Sequence, residues 1–275
     1  MCSKIMYSDI KTTPPTPFME ITFKSWKEFY NYLLSEYITK QIAFYWRGQR
    51  RQDWSLATTF DRLYETRSTP NLTKEKALKQ QFAKFIFAIR GKQGAPQSSA
   101  DTLNDPDKQN EIWALGQHHG LATPLLDWTL SPFVAAYFAF EEATPEHEQQ
   151  NDFRAIWVVE RSPIREKMRD LQKSPNFSPV DHPEEIISLS IDNPRLISQS
   201  GILVRMPEKT LNDWINTHLG VDYKKCIFAK LLVPEPEREI ILRSLNMMNI
   251  NRSTLFPDLD GAASFTNTYF EIERY

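Results

Sequence analysis

One stretch of the chain, Leu115 to Glu142, concentrates the residue types that could carry chemistry. It holds two adjacent histidines, His118 and His119, and then an apolar run that ends in Asp127 and Trp128. The Trp128 ring could stack on a planar group while the Asp127 carboxylate accepts a hydrogen bond from the polar edge of that group. The competing interpretation is that Trp128 is a core residue and that Asp127 stabilises a turn.

The elements that must position Asp127 are predicted to be a loop, a strand, a turn and a helix. The segment Gly116-Gln117-His118-His119-Gly120 is typical of a polar, flexible loop, although Gln117 and His118 could equally end a helix. Ser131 followed by Pro132 predicts a helix N-cap and first helical residue. Because backbone N–H groups are unpaired at a helix start, this one favours an anion or a polar ligand.

Arg47 is the second candidate. Ile42–Arg47 is rich in β-forming residues and is followed by Gly48, which predicts a strand with Arg47 at its end. A guanidinium at a strand end suits phosphates and carboxylates because its planar fork matches their oxygens. The alternative is a surface arginine paired with an acid such as Asp53. With Arg50 and Arg51, the same turn could bind a single nucleic-acid strand or simply be solvated.

A further polar group of residues lies in Asp192–Met206, where Arg195 and Gln199 precede a predicted strand. Asp127 follows two leucines, and a carboxylate in such a run needs a partner if it is buried. If Asp127 is buried, Arg195 is one candidate partner and Arg47 is another.

Composition sets the class of protein. The chain has 275 residues, 41% hydrophobic and 25% charged, with a formal net charge of -2, so no overall charge draws it to nucleic acid or membrane. Cys2 and Cys226 are its only cysteines, which fits a reducing cytosol. The longest apolar run, Phe133–Phe140, is too short to cross a bilayer. We expect a cytoplasmic protein with a flexible arm at residues 1–18 and one domain at 19–275.

Helical periodicity predicts helices over 25–38 and 73–90, and β-rich runs predict strands over 153–160 and 226–233. Residues 91–107 are predicted to be an exposed loop, with only the end of a short helix at 111–115. Strands and helices do not alternate regularly. The sequence therefore predicts a single α+β domain with a mixed, mostly antiparallel sheet and flanking helices.

Several catalytic motifs are missing, among them the P-loop, the G-x-G-x-x-G fingerprint and the G-x-S-x-G elbow. A metal site is a weaker alternative. An oxygen-rich Mg²⁺ site for phosphodiester cleavage could be formed by Asp127, His118, Asp258 and Asp260. Asp258 and Asp260 are also ordinary turn residues.

The chain resembles the FRG domain family. The resemblance rests on Trp46-Arg47-Gly48-Gln49, on the run from Gly116 through Asp127-Trp128-Thr129 to Ser131-Pro132, and on Asn193-Pro194-Arg195 with Gln199. Trp46 stands where the family has Phe or Tyr. Ala122 and Pro124 replace the family's Pro and Arg.

FRG proteins resemble ADP-ribosyltransferases in layout, and this likeness implies an ADP-ribosyltransferase-like fold with NAD as substrate. By that analogy Arg47 would hold the NAD phosphate or ribose, and Gln199 would stand where transferases carry a glutamate. Asp127, Glu184 or Glu185 would then supply the missing negative charge. The catalytic residues implied are Arg47, Asp127 and Gln199. The residues implied in NAD binding are Arg47, Gly48, Gln49, Gln117, His118, His119, Trp128, Thr129, Ser131 and Arg195.

The resemblance thus implies an NAD-dependent ADP-ribosyltransferase acting as a toxin or anti-phage effector. Its acceptor would be RNA, DNA or protein, and a neutralising antitoxin-type protein would be a natural partner. No metal and no membrane enter this interpretation. The alternatives are the metal-dependent nuclease and a non-catalytic module that senses a ligand.

Overall fold

A computed structural model describes residues 10–11, 18–40, 42–68, 71–92, 105–145, 152–178, 181–186, 194–207, 210–219 and 228–275. Most of the predicted N-terminal arm lies outside these ranges, as do both cysteines. Two residues of the arm, Ile10–Lys11, form a short strand.

The chain folds around one eight-stranded sheet with the order β1-β2-β8-β5-β3-β4-β7-β6. One neighbouring pair, β2 and β8, is parallel and the others are antiparallel, so the predicted mixed, mostly antiparallel α+β sheet is confirmed. The strands are β1 Ile10–Lys11, β2 Met19–Thr22, β3 Phe44–Gln49, β4 Leu125–Thr129, β5 Phe153–Glu160, β6 Glu184–Ile186, β7 Gly201–Arg205 and β8 Phe228–Pro234.

Helices flank the sheet on both faces. They are α1 Trp26–Leu33, α2 Thr59–Glu65, α3 Lys74–Ile89, α4 Pro106–His118, α5 Pro132–Phe140, α6 Arg161–Leu171, α7 Pro194–Ser198, α8 Leu211–His218, α9 Arg238–Met247, α10 Arg252–Leu255 and α11 Leu259–Glu271. In the described ranges no helix is both long and apolar enough to cross a membrane.

Alternation along the strands sorts the core into layers. In β3, Phe44 and Trp46 join the cluster under α1, α5 and α9, whereas Tyr45 joins the cluster on the opposite face with α8. A third cluster packs α3 and α4 against β4 and β7 through Leu125 and Leu203. Since Leu125 and Asp127 are two residues apart on β4, Asp127 emerges on the α4 side of the sheet.

Local helix signals were predicted correctly. Ser25 Oγ accepts from the Glu28 N–H, and Ser131 Oγ accepts from the Val134 N–H with Pro132 in the first turn of α5. The helix predicted over residues 25–38 continues beyond α1 as a π-helical turn, Leu34–Ile38.

Two local predictions were wrong. The strand of Arg47 runs on through Gly48 to Gln49, so Gly48 lies inside β3. A Cβ at Gly48 would lie 1.9 Å from Ala135 O, so glycine is required here because α5 crosses directly against the strand. The flexible loop predicted from Gly116 is instead the last turn of α4, which ends at His118, so the alternative that Gln117 and His118 end a helix is confirmed. The helix starts at Pro106 behind the N-cap Asp105.

Candidate functional site

A cavity of about 400 Å³ lies between α4 and α5, above β3, β4 and β7. It brings together most of the residues that the sequence had singled out, although they come from distant segments. Its lining includes Arg47, Gly48, Gln117, His118, Asp127, Trp128, Thr129, Arg195 and Gln199, with Trp46, Phe138 and Phe256 as aromatic neighbours. Its volume falls in the range of ordinary small-molecule sites.

Arg47 lines this cavity from β3, and β3 pairs with β4 at one described register position, Trp46 opposite Thr129. Beyond it, the Arg47 Nη1 donates to the backbone carbonyl of Asp127 at 2.5 Å. The side chain is half-buried, and its Nε is enclosed without a hydrogen-bond partner among the residues that the structure describes. Burial lowers the pKa of the Arg47 guanidinium, and the nearby Asp127 carboxylate opposes that shift.

Asp127 is exposed rather than buried, between the buried Leu126 and Trp128. Its carboxylate accepts a hydrogen bond of 2.7 Å from Gln117 Nε2. Because Asp127 is exposed, its carboxylate does not need the ion-pair partner that burial would require, and neither of the candidate partners, Arg195 and Arg47, forms an ion pair with it. Arg47 binds the Asp127 backbone carbonyl, and Arg195 has a different acid.

That acid is Asp258. Its Oδ2 accepts from Arg195 Nε at 2.7 Å, and Arg195 Nη2 lies 2.6 Å from the same oxygen. Its Oδ1 accepts from the Gly261 N–H and thereby caps α11, as its predicted turn position requires. These hydrogen bonds, first from Gly261 and then from Arg195, lower the pKa of the Asp258 carboxyl.

An aromatic wall stands beside Arg195. The Arg195 guanidinium lies 5.4 Å from the centre of the Phe256 ring, and that of Arg252 lies 3.8 Å from it. The Phe138 ring meets Phe256 edge-on, with centroids 6.1 Å apart. Cation–π contacts of this kind fix the ring in place.

Gln199 follows α7 and is held by three hydrogen bonds. Its Nε2 donates to Leu255 O at 3.1 Å, its N–H donates to Arg195 O, and its carbonyl accepts from Thr129 Oγ1 at 2.7 Å. The amide nitrogen is therefore used to hold the chain around the cavity.

His118 and His119 are both exposed, and His118 lines the cavity whereas His119 caps α4. Partial desolvation lowers the pKa of the His118 imidazole, and His119 and Arg195 lower it further. Each of these influences favours the neutral imidazole, the form that acts as a hydrogen-bond acceptor or a base.

Other predicted site residues serve the fold. Trp128 is 3% exposed, and its ring belongs to the cluster on the opposite face, as the core interpretation required. Gln49 is buried, where it accepts from Trp157 Nε1 at 2.6 Å and donates to Ser55 O at 2.9 Å. Ser131 caps α5 and does not line the cavity.

Glu184 and Glu185, the other acids predicted to supply negative charge, form ion pairs outside the cavity. Glu185 accepts from both Arg161 and Arg165, and Glu184 pairs with Arg205. No group of three or more acidic, histidine or cysteine side chains in the described part of the chain could hold a metal ion. The positive charge of Arg195 on Asp258 would also repel a cation there.

The basic turn after β3 is largely neutralised. Arg51 donates to Asp53 at 2.9 Å, and Arg50 lies 3.7 Å from Glu142 and 5.5 Å from the centre of the Trp54 ring. The predicted partner of Arg47, Asp53, therefore belongs to Arg51.

Sequence reasoning missed Thr123 and Phe256. Thr123 is fully buried and donates to Gln117 Oε1, and Phe256 lines the cavity. A polar residue inside the run Leu121–Leu126 is a sequence signal that could have identified Thr123. Phe256 contacts residues that are far away in the sequence, such as Phe138 and Arg195, so a local sequence pattern does not predict these contacts.

Comparison with known families agrees with this geometry. The family model of the FRG domain matches residues 42–148. This chain carries an FRG domain. The matched segment runs from β3 through α5 and supplies Arg47, Gln117, His118 and Asp127, whereas α7 and the Phe256 turn lie beyond it. No curated protein and no solved structure matches the chain.

Proposed function

We propose that this FRG protein is an NAD-dependent ADP-ribosyltransferase and that the cavity between α4 and α5 is its active site. The proposal rests on one observation: the site holds a positive and a negative charge that do not neutralise each other in a salt bridge. Arg47 is bound to the carbonyl of Asp127, and the Asp127 carboxylate is bound by a neutral amide. Both groups face the same cavity.

The Arg47 guanidinium would bind the diphosphate of NAD. Among the described residues it makes no salt bridge with a carboxylate, and its Nε has no partner. A half-buried guanidinium in this state favours a ligand that brings negative charge with several acceptor oxygens. The cavity also offers Phe256 as an apolar wall for a planar ring.

The Asp127 carboxylate would stabilise the positive charge that develops on the ribosyl carbon. As the glycosidic C–N bond breaks, nicotinamide leaves with the electron pair, and an acceptor nucleophile bonds to the same carbon and loses its proton. Charge stabilisation of this kind is strongest from a preorganised group. Asp127 is the acidic side chain in the cavity lining, and Gln199 in the same lining is neutral.

His118 would take the proton from the acceptor, because its imidazole lines the same cavity and an imidazole is a common general base. The resemblance to FRG proteins supports RNA, DNA or protein as the acceptor. It also supports a role as a toxin or anti-phage effector held in check by a partner protein.

The test is nicotinamide release from labelled NAD by the wild type, Asp127→Asn and Arg47→Met, with RNA, DNA and cell-extract protein offered as separate acceptors. Asp127→Asn keeps the shape of the side chain and its hydrogen bond to Gln117 but removes the charge. We expect Asp127→Asn to lower turnover by roughly 100-fold or more while NAD still binds. Arg47→Met should weaken NAD binding itself.

Glu185→Gln is the matched control, because it removes a carboxylate that lies outside the cavity. It should retain turnover at a pH where the protein is folded. Tight NAD binding without release by the wild type would favour a ligand-sensing module. Neither binding nor release with any acceptor would refute the proposal.

A further inference from the structure

A chain of hydrogen bonds stands behind Asp127. Thr123 Oγ1 donates to Gln117 Oε1, and Gln117 Nε2 donates to Asp127 Oδ1 at 2.7 Å. Thr123 is fully buried. Its backbone is tied to the first turn of α2, since its N–H donates to Thr59 Oγ1 at 2.9 Å and its carbonyl accepts from the Phe60 N–H at 3.2 Å.

The direction of these bonds follows from chemistry. The direction is set by Asp127, because a carboxylate can only accept and the NH₂ group of Gln117 must therefore point to it. The Gln117 Oε1 then faces Thr123 and accepts the single hydroxyl proton of Thr123, whose Oγ1 also accepts from the Leu125 N–H at 3.3 Å. Thr123 thus holds the accepting end of the Gln117 amide in place.

We propose that Thr123 and Gln117 are positioning residues that hold the Asp127 carboxylate in one orientation, with Oδ1 bound and Oδ2 directed to the substrate. This inference rests on the proposed function, and it gives Gln117 a role through Asp127 instead of in direct NAD binding. A carboxylate on an exposed side chain samples several rotamers, and one hydrogen bond from an anchored amide reduces that freedom. The anchor is Thr123, which is bound to α2 at both backbone groups.

The test uses three variants of the chain and one control. Thr123→Val keeps the volume and removes the donor, and Thr123→Ser restores the donor. Gln117→Glu replaces the NH₂ group by an oxygen and sets two carboxylates side by side. Thr210→Val is the control, because the Thr210 hydroxyl caps α8, which takes no part in the chain to Asp127.

Two readouts separate the positioning role from the proposed function. The first is the pH profile of nicotinamide release. The second needs no activity: carboxyl-carbon NMR of protein labelled at aspartate, with the Asp127 signal assigned by its loss in Asp127→Asn. We expect Gln117→Glu to move the titration of the Asp127 carboxyl carbon upward by about one pH unit, because like charges resist ionisation together.

In the activity assay, Thr123→Val should lower turnover by roughly 10-fold with KM nearly unchanged, and Thr123→Ser should recover most of it. Thr210→Val should lower the melting temperature without changing KM or the pH profile. An unmoved Asp127 titration in Gln117→Glu would overturn the inference even if the enzyme is active. An NMR shift in a protein that never releases nicotinamide would support the positioning role and refute only the transferase.

Discussion

Arg47 and Arg154 lie on neighbouring strands of one sheet and are used in opposite ways. Arg154 is fully buried, and its guanidinium donates to both oxygens of Glu235, to Ala139 O at 3.2 Å and to Thr144 Oγ1 at 3.3 Å. Arg47 is half-buried and donates to one neutral carbonyl, with its Nε unpartnered. A saturated arginine serves the fold, whereas an unsaturated one at a cavity is available to a ligand.

The largest effect is expected from a matched pair of substitutions at Arg154 and Arg47. Arg154→Met should lower the free energy of unfolding by about 3–5 kcal/mol, because it leaves Glu235 as an uncompensated, largely buried charge. Arg47→Met should lower it by only about 1 kcal/mol, because one hydrogen bond to a carbonyl is lost. Urea unfolding of both variants measures the difference. Equal losses would make Arg47 a structural residue and remove the contrast.

The second test uses pH on another saturated charge. Burial resists ionisation of Glu185, but hydrogen bonds from Arg161 and Arg165 outweigh it and lower the pKa of Glu185 to about 2. The lowered pKa contributes stability that is fully present above pH 4.5 and is lost as the pH falls towards 2. The contribution is roughly 3 kcal/mol. Unfolding free energies measured against pH should fall less steeply over this window in Glu185→Gln than in the wild type.

The third test concerns Gly48, which packs against α5 and also lines the cavity. Gly48→Ala would place a methyl group 1.9 Å from Ala135 O and 2.6 Å from Ala139 N, so α5 must move away from β3. Overpacking of this kind costs about 1–3 kcal/mol. The cavity lies between these elements, so NAD affinity should fall together with stability. Gly91→Ala is the control for a destabilised variant without overpacking. Its added Cβ meets nothing within 4 Å, but alanine is strained at the backbone φ of +70° found at this position. If Gly48→Ala is destabilised but its NAD affinity is unchanged, the position of α5 does not affect the site.

The smallest effect is expected at a histidine of the core. His182 Nδ1 accepts from Trp214 Nε1 at 2.9 Å, and burial, followed by His218, lowers the pKa of His182. The unfolded chain therefore takes up a proton near pH 6.5 while the folded chain resists. Stability should fall below that pH by less than about 1.4 kcal/mol per pH unit. Thermal unfolding of His182→Phe should show a weaker fall, while exposed His119→Gln should match the wild type.

The sequence predicted what short-range signals decide. Ser131 and Pro132 predicted the start of α5, and the helix predicted over 73–90 starts at the N-cap Thr73. The irregular order of strands and helices predicted the α+β class with a mixed sheet. The helix α4 was missed in part because residues rich in Gly, Pro and Asp suggested a loop. Pro106 and Asp105 instead form a helix start, where both residue types are favoured.

The site was predictable in its members but not in its pairings. Arg47, Asp127 and Arg195 do line one cavity. Which partner each takes depends on distant segments: Arg195 meets Asp258, and Arg47 meets a backbone carbonyl, a group that no residue type reveals. The same holds for Thr123, whose role depends on the end of α4 lying beside β4.

The sheet is weakly paired between β3 and β4, which share a single described register position. This position divides the sheet into two parts, β1, β2, β8, β5 and β3 on one side and β4, β7 and β6 on the other. The hydrogen bond from Arg47 to Asp127 O is a further connection between the two parts. We expect a ligand that binds the Arg47 guanidinium to break that hydrogen bond, so that occupancy of the cavity weakens the connection between the two parts of the sheet.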